Sequence, residues 1–283
     1  LKHDTNQKTL KETYHTEFDY DTYLTKKIEL NTGANYSFVR NSGRYGYEDS
    51  SHSARFTGNT LSAYAESNFT LGESLILDAG INVHSYHRSF PDGTRVNSFN
   101  FYPKASLSYS WKEVNNLNVD YSTNIEEPTI WALLPFIREE APGVFSKGSP
   151  NLKPEKNSTL SATYNYSKGD ASYSFSPYYK RISDSIVSQA SSYDKGSMID
   201  YTNLRRSENI GVDLSYSNNL FKWWLVNLYA NGSRQSVPQN TYYKHHLNHL
   251  DFQLVNLWTI TPKISFILQY VYNGKELGYN GYS

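Results

Sequence analysis

Leu71-Gly72-Glu73-Ser74-Leu75-Ile76-Leu77-Asp78-Ala79-Gly80-Ile81-Asn82-Val83-His84 is the stretch on which the fold turns. Its first four residues make a tight polar turn. In the run that follows, Leu75, Leu77, Ala79, Ile81 and Val83 fall on one face, and Asp78, Gly80, Asn82 and His84 on the other. A period of two marks a β-strand with one oily and one wet face. A soluble sandwich packs such oily faces together. A transmembrane barrel turns them to lipid and gives the wet face to its lumen.

The pattern recurs along the chain. Short turns centre near Leu24-Thr25-Lys26, Leu71–Ser74, Lys112-Glu113-Val114-Asn115, Lys168-Gly169-Asp170, Asn219-Leu220-Phe221-Lys222 and Thr261-Pro262-Lys263. They lie roughly 40–55 residues apart, the period of a hairpin plus a loop. Between them run longer connections rich in Gly, Ser, Asn, Asp and Pro: Asn41–Phe56, Pro91–Asn97, Ile125–Asn157, Ala190–Ser197 and Val237–His246. Strands flanking each short turn number about twelve. In one, Ile210, Val212, Leu214 and Tyr216 oppose Gly211, Asp213, Ser215 and Ser217.

Aromatic residues gather where strands meet the short turns: Phe69, Trp111, Phe221, Trp223, Trp224 and Trp258. A second set, Tyr36, Phe38, Tyr86, Phe90, Phe99, Tyr121, Tyr178 and Tyr179, lies toward the long connections. Two such bands are what two membrane interfaces select, although aromatic residues also close sandwich cores. The asymmetry of short turns and long loops favours the membrane reading, with short turns periplasmic and long loops outside. The expected fold is all-β: an antiparallel transmembrane barrel segment in the outer membrane.

Composition agrees. The chain has 26 Tyr, 13 Phe and 5 Trp but a single Met and no Cys, which suits strands and excludes disulfides and thiolate metal sites. Lys+Arg and Asp+Glu both total 27, so nothing points to nucleic acid as a partner. No apolar run is long enough for a membrane helix. The polar start, Leu1-Lys2-His3-Asp4-Thr5, lacks an initiator Met and a signal peptide, and is read as the interior or a processed edge of a longer protein.

The longest connection carries recognisable residues. Asp120-Tyr121-Ser122-Thr123-Asn124-Ile125-Glu126-Glu127-Pro128 runs into Leu134-Pro135-Phe136, and then comes Gly148-Ser149-Pro150-Asn151-Leu152-Lys153-Pro154-Glu155. This resembles the signature of TonB-dependent outer-membrane receptors, and within them the outer membrane protein beta-barrel family common in Bacteroidota. Phe56–Glu66, leading to Leu77-Asp78-Ala79-Gly80-Ile81, is similar to a hairpin of that family. Asn124, Glu127 and Ser149 depart from its usual Arg, Arg and Asn, so no ligand can be carried over.

The resemblance implies a barrel of about 22 strands, so residues 1–283 are expected to form one barrel segment, incomplete at both ends and without a plug domain; a self-contained twelve-strand barrel is the alternative that even-strand arithmetic allows. It implies no enzyme and no cofactor. It implies import of a scarce solute (a metal chelate, glycan or peptide), with the outer-membrane bilayer, lipopolysaccharide, TonB and a surface lipoprotein or other complex subunits as partners. The alternative is a non-transporting structural barrel of an outer-membrane assembly or secretion complex.

Some residues invite a chemical reading. His84 and His87, near an outer loop beside Arg88, point to opposite faces of one strand and cannot chelate together. His245, His246 and His249 are candidate metal ligands only if their segment converges them; plain polar loop histidines are the simpler reading. Trp131-Ala132-Leu133-Leu134-Pro135-Phe136-Ile137, followed by Arg138, is unusually apolar for an outer loop. Trp131, Leu134, Phe136 and Arg138 either contact a ligand or partner, or pack internally. Pro150-Asn151-Leu152-Lys153-Pro154-Glu155 reads as a staple at the start of a strand, because two prolines disfavour helix and Asn favours a turn. Glu29, Glu66, Asp78, Lys104, Asp120 and Asp213 are expected to line the lumen. No catalytic motif is present.

Overall fold

In a computed structural model the described residues are 5–47, 50–90, 93–135, 137–193, 196–237, 246–275, 277–278 and 281–282. The strands are β1 (Thr5–Thr25), β2 (Ile28–Tyr47), β3 (Ser50–Thr70), β4 (Leu75–Ser89), β5 (Arg95–Trp111) and β6 (Asn115–Glu126). A four-residue helix α1 (Ile130–Leu133) and a ribbon of β7 (Ile137–Ala141) and β8 (Val144–Lys147) follow. Then come β9 (Glu155–Lys168), β10 (Ala171–Tyr193), β11 (Gly196–Phe221), β12 (Trp224–Ser236), β13 (His246–Thr261) and β14 (Ile264–Asn273). A short pair, β15 (Leu277–Gly278) and β16 (Gly281–Tyr282), ends the chain.

Twelve strands form one sheet in sequence order, β1 to β6 and then β9 to β14, each antiparallel to the next. The six short turns fall where the alternation places them. The sheet is not closed: among the described residues β1 pairs only with β2, and β14 only with β13. Two connections differ from expectation. Residues 41–56 and 190–197 are paired strand along most of their length, so β2–β3 and β10–β11 are tall hairpins rather than loops.

Register proves which face is which. One row across five strands reads Phe18, Ala34, Ala63, Val83, Phe101. The adjacent row, one residue along, reads Asp19, Gly33, Tyr64, Asn82, Tyr102. On the other side of the sheet Leu214, Ala230, Phe252 and Tyr272 align beside Asp213, Asn231, Asp251 and Asn273. The apolar rows are the exposed ones: Phe18 is 66% exposed and Phe99 72%. Buried polar residues such as Asn41 and Asn231 lie in the wet rows. A water-soluble domain has the opposite arrangement. Here the oily face is solvated by lipid and the wet face lines a lumen.

Wet-row side chains satisfy one another. Lys104 pairs with Glu66, Asn68 donates to Asp78 at 2.7 Å, and Ser106 donates to Asp120 at 2.7 Å. Gly33 leaves room for the Tyr64 ring to cross its strand and donate to Asp19 at 2.6 Å. Glu29 and Asp213 also lie in wet rows, so all six expected lining residues face the lumen.

At the short-turn end the lipid face carries a continuous aromatic stack. Phe221 lies on Trp223 at 5.3 Å, Trp223 on Trp224 at 6.1 Å, Trp224 on Trp258 at 6.0 Å and Trp258 on Phe266 at 5.5 Å. Trp111 stacks between Tyr109 and Tyr164. Amphipathic rings at this level fit a headgroup interface. Trp224 also donates its indole N–H to Asn256 at 3.1 Å, satisfying an amide that lies between Val226 and Leu268. The outer band needs correction. Tyr36, Phe38, Phe99, Tyr121 and Tyr179 are in lipid rows, but Tyr86 and Tyr178 are in lumen rows, and Phe90 belongs to a core in the mouth.

Candidate functional site: the outer mouth of the lumen

Among the described residues a cluster of buried apolar side chains sits in the mouth. Phe90, Ala132, Leu133, Leu134 and Leu152 form it, with Val96, Trp131, Ile186 and Tyr201 packed around. The connection after β6 therefore folds inward over the lumen. Leu134 is 0% exposed, and its side chain lies against Gly43 on the lumen face of β2. Internal packing, not a free apolar surface, is the fate of this loop.

Backbone bonds close it. Gly148 donates to the Leu134 carbonyl at 3.0 Å and Ser149 to the Ala132 carbonyl at 2.7 Å. A Cβ at Gly148 would lie 2.5 Å from the Leu134 oxygen, so only glycine permits this approach. The Pro-Asn-Leu-Lys-Pro-Glu element then staples the loop to the wall. Asn203 on β11 accepts from the Lys153 N–H at 2.8 Å and donates to the Lys153 carbonyl at 2.9 Å and the Asp184 carbonyl at 2.6 Å. The Glu155 carboxylate accepts from the Ser185 hydroxyl and the Ile186 amide. Lys147 and its neighbours in β8 add a short parallel pairing to β11.

The residues expected to touch a ligand divide. Trp131 is half-buried against β2, and the Arg138 guanidinium stacks over its ring at 4.5 Å. Arg138 is 2% exposed, donates to Ser146 at 2.9 Å and pairs with Glu140 at 3.1 Å. With Leu134 it holds the loop. Phe136 lies outside the described residues. His84 and His87 face opposite sides of β4, as expected. His84 meets Ser62 at 2.9 Å and Glu127 at 3.3 Å. His87 meets Ser89 and Asn97.

The two described members of the second histidine group do not converge. His245 lies outside the described residues. His246 and His249 fall in opposite-facing rows of β13, and the His249 ring nitrogens meet Asp251 at 2.7 Å and the Lys275 carbonyl at 3.0 Å. Among the described residues no group of three or more His, Cys, Asp or Glu is placed to hold a metal.

A second arrangement joins β4 to the loop. His84, Tyr86 and Arg88 share the lumen face of β4, and Glu127, just past β6, reaches across β5 to pair with both Arg88 and His84. The Arg88 guanidinium lies over the Tyr86 ring at 4.4 Å, and its stem passes over Gly58 of β3. Arg88 is 8% exposed. It lies above the roughly ten residues of β4 that cross the hydrocarbon. Burial pulls its guanidinium below, and pushes the Tyr86 phenol above, their ordinary pKa values. Arg88 and Glu127 face a cleft of about 430 Å³ that opens beside the loop. Period-two spacing places residues 84, 86 and 88 together; nothing local to them marks residue 127 as their partner.

An open, inside-out antiparallel wall with aromatic girdles and its core in the mouth defines an outer-membrane β-barrel. The sequence profile of the outer membrane protein beta-barrel family matches residues 2–283, and the chain belongs to that family. No curated protein matches the chain. Among solved structures it is similar to the FrpB iron transporter of Neisseria meningitidis (14% identity, TM-score 0.64, covering 94% of this chain and 43% of that one). It is also similar to the ferric yersiniabactin uptake receptor FyuA of Yersinia pestis (13%, 0.60, 94% and 43%). The copper transporter OprC is a third (14%, 0.64, 93% and 50%). The chain thus spans half or less of each of these neighbours.

Proposed function

We propose that the chain supplies about half the wall of a larger outer-membrane barrel that imports a scarce solute with energy from TonB. Two unpaired edges support the larger barrel. Unsatisfied N–H and C=O groups along β1 and β14 are too costly to leave facing hydrocarbon, and the two edges do not pair with each other here, which favours further strands between them. Structural neighbours named as iron and copper transporters support import. The observation that carries the reading is the loop folded into the mouth above a polar lumen. A wall that only held an assembly together has no need of a path-closing element. A metal chelate, a glycan or a peptide fits such a path, with a surface lipoprotein as a further partner.

The test uses cells carrying the full-length gene and cells lacking it. Accumulation of radiolabelled iron–catecholate, copper(II) and oligosaccharide is followed with and without a protonophore. Uptake of one of these that needs both the gene and the proton gradient is expected. Equal uptake of all three in both strains, with the protein present in a stable outer-membrane complex, would replace import with the structural role.

A further inference from the structure

The cleft beside the mouth loop holds an incomplete ion pair. Arg88 uses Nη2 for the Glu127 carboxylate, while its Nη1 is buried and has no hydrogen-bond partner. A buried guanidinium edge left open is expensive, and it is normally closed by a carboxylate or phosphate. Arg88 is one of the residues that line the cleft, so its guanidinium borders a space that a solute can enter.

We infer that this cleft is a binding site for a carboxylate-bearing, partly apolar solute, with the Arg88 guanidinium as its anchor. The charge count selects a single negative charge. Arg88 and Lys11 line the cleft as cations, and Glu127 lines it as the one carboxylate. One positive charge is left over, which suits a monoanion. A dianionic phosphate would be repelled by Glu127, which stays beside Arg88. Thr60 and Thr129 offer neutral polar groups around the anchor, and Val39, Pro128 and Leu133 give an apolar wall for the rest of the molecule. The volume, about 430 Å³, lies within the range of small-molecule sites. Glu127 acts as a positioning residue: it fixes the guanidinium and ties the start of the mouth loop to β4. The site rests on the reading of the lumen as a solute path, but binding at equilibrium needs neither TonB nor a proton gradient.

The test is calorimetry on the purified full-length protein in detergent. The probes are 4-phenylbutyrate and its neutral isostere 4-phenylbutyramide, with inorganic phosphate as competitor. Wild type should bind the acid at least tenfold more tightly than the amide. Arg88→Gln should lose that preference, and Arg88→Lys should keep part of it. Thr60→Val, which leaves the anchor untouched, should weaken the acid a few-fold and serves as a variant with the Arg88–Glu127 pair intact. Equal affinity for acid and amide, no binding of the acid by wild type, or an unchanged preference in Arg88→Gln would each overturn the site. Displacement of the acid by equimolar phosphate would overturn the monoanion assignment. Binding as expected without energy-dependent uptake in cells would refute import alone.

Discussion

Gly148→Ala should open the mouth loop while leaving the wall intact. The added methyl would lie 2.5 Å from the Leu134 oxygen, 2.7 Å from the Ala132 oxygen and 2.7 Å from the Leu134 nitrogen. All three are backbone atoms, so no side-chain rotation relieves the contact. The segment must retreat, and two hydrogen bonds go with it: Gly148 to Leu134 and Ser149 to Ala132. At about 0.5–1.5 kcal/mol each they account for about 1–3 kcal/mol. Partial exposure of Leu133 and Leu134 adds about 1 kcal/mol. A local loss of about 2–4 kcal/mol raises the open population roughly 30- to 700-fold. Limited proteolysis of the full-length protein in outer-membrane vesicles reads this population when opening is fast. Cleavage mapped by mass spectrometry should accelerate between residues 127 and 154, with β9 to β14 unaffected. Gly72→Ala is the control, since nothing lies within 4 Å of its Cβ position. A Gly148→Ala cleavage rate within about twofold of wild type would refute the argument that this close approach holds the loop shut.

The two faces should respond differently to charge. Leu214→Arg, in a lipid row, should cost about 2–4 kcal/mol in denaturant unfolding from vesicles, whereas Ser215→Arg, in the next row, should cost under about 1 kcal/mol. Asn203→Ala removes both bonds to Lys153 and the one to Asp184. Hydrogen exchange at the Lys153 amide should quicken by about tenfold or more, with the short-turn end unchanged. Gly33→Val would put a methine carbon 2.4 Å from the Tyr64 ring and the Asp19 carboxylate. Tyr64 should swing aside and give up its bond to Asp19 at a cost of about 1 kcal/mol, and in a Tyr64→Ser background the part of the penalty due to the ring and its bond should vanish.

The wall was legible because lipid and lumen impose opposite demands on alternate residues. Leu75 to His84 carries that alternation, and so do Ile210 to Ser217. It fades where both faces are wet. Residues 41–56 read as loop because Gly, Ser, Asn and Arg replace the oily face, yet Asn41 pairs with Phe56 and Tyr47 with Ser50. Backbone pairing continues above the membrane without the side-chain pattern that announces it. The fate of Trp131 to Leu134 was open for another reason. An apolar run says that something must cover it, and only the tertiary placement of Gly43, Phe90 and Ile186 shows what does. Tyr86 was placed in an interface band by its height along β4, although its even number, shared with His84 and Arg88, puts it on the lumen side. Glu127 joins that group from 39 residues beyond Arg88, by crossing β5, which no local spacing encodes.

In the membrane the oily rows face lipid and the polar rows face a water-filled lumen. The chain has no cysteine, so a cysteine introduced into it gives a spin label a single site within residues 1–283. Labels at successive positions from Ile210 to Ser217 on β11, in the full-length protein in outer-membrane vesicles, can be tested against oxygen, which concentrates in lipid, and a nickel chelate, which stays in water. Strict alternation is expected, with oxygen reaching residues 210, 212, 214 and 216 and nickel reaching 211, 213, 215 and 217. Accessibility to nickel on both faces, or to oxygen at the odd positions, would contradict it.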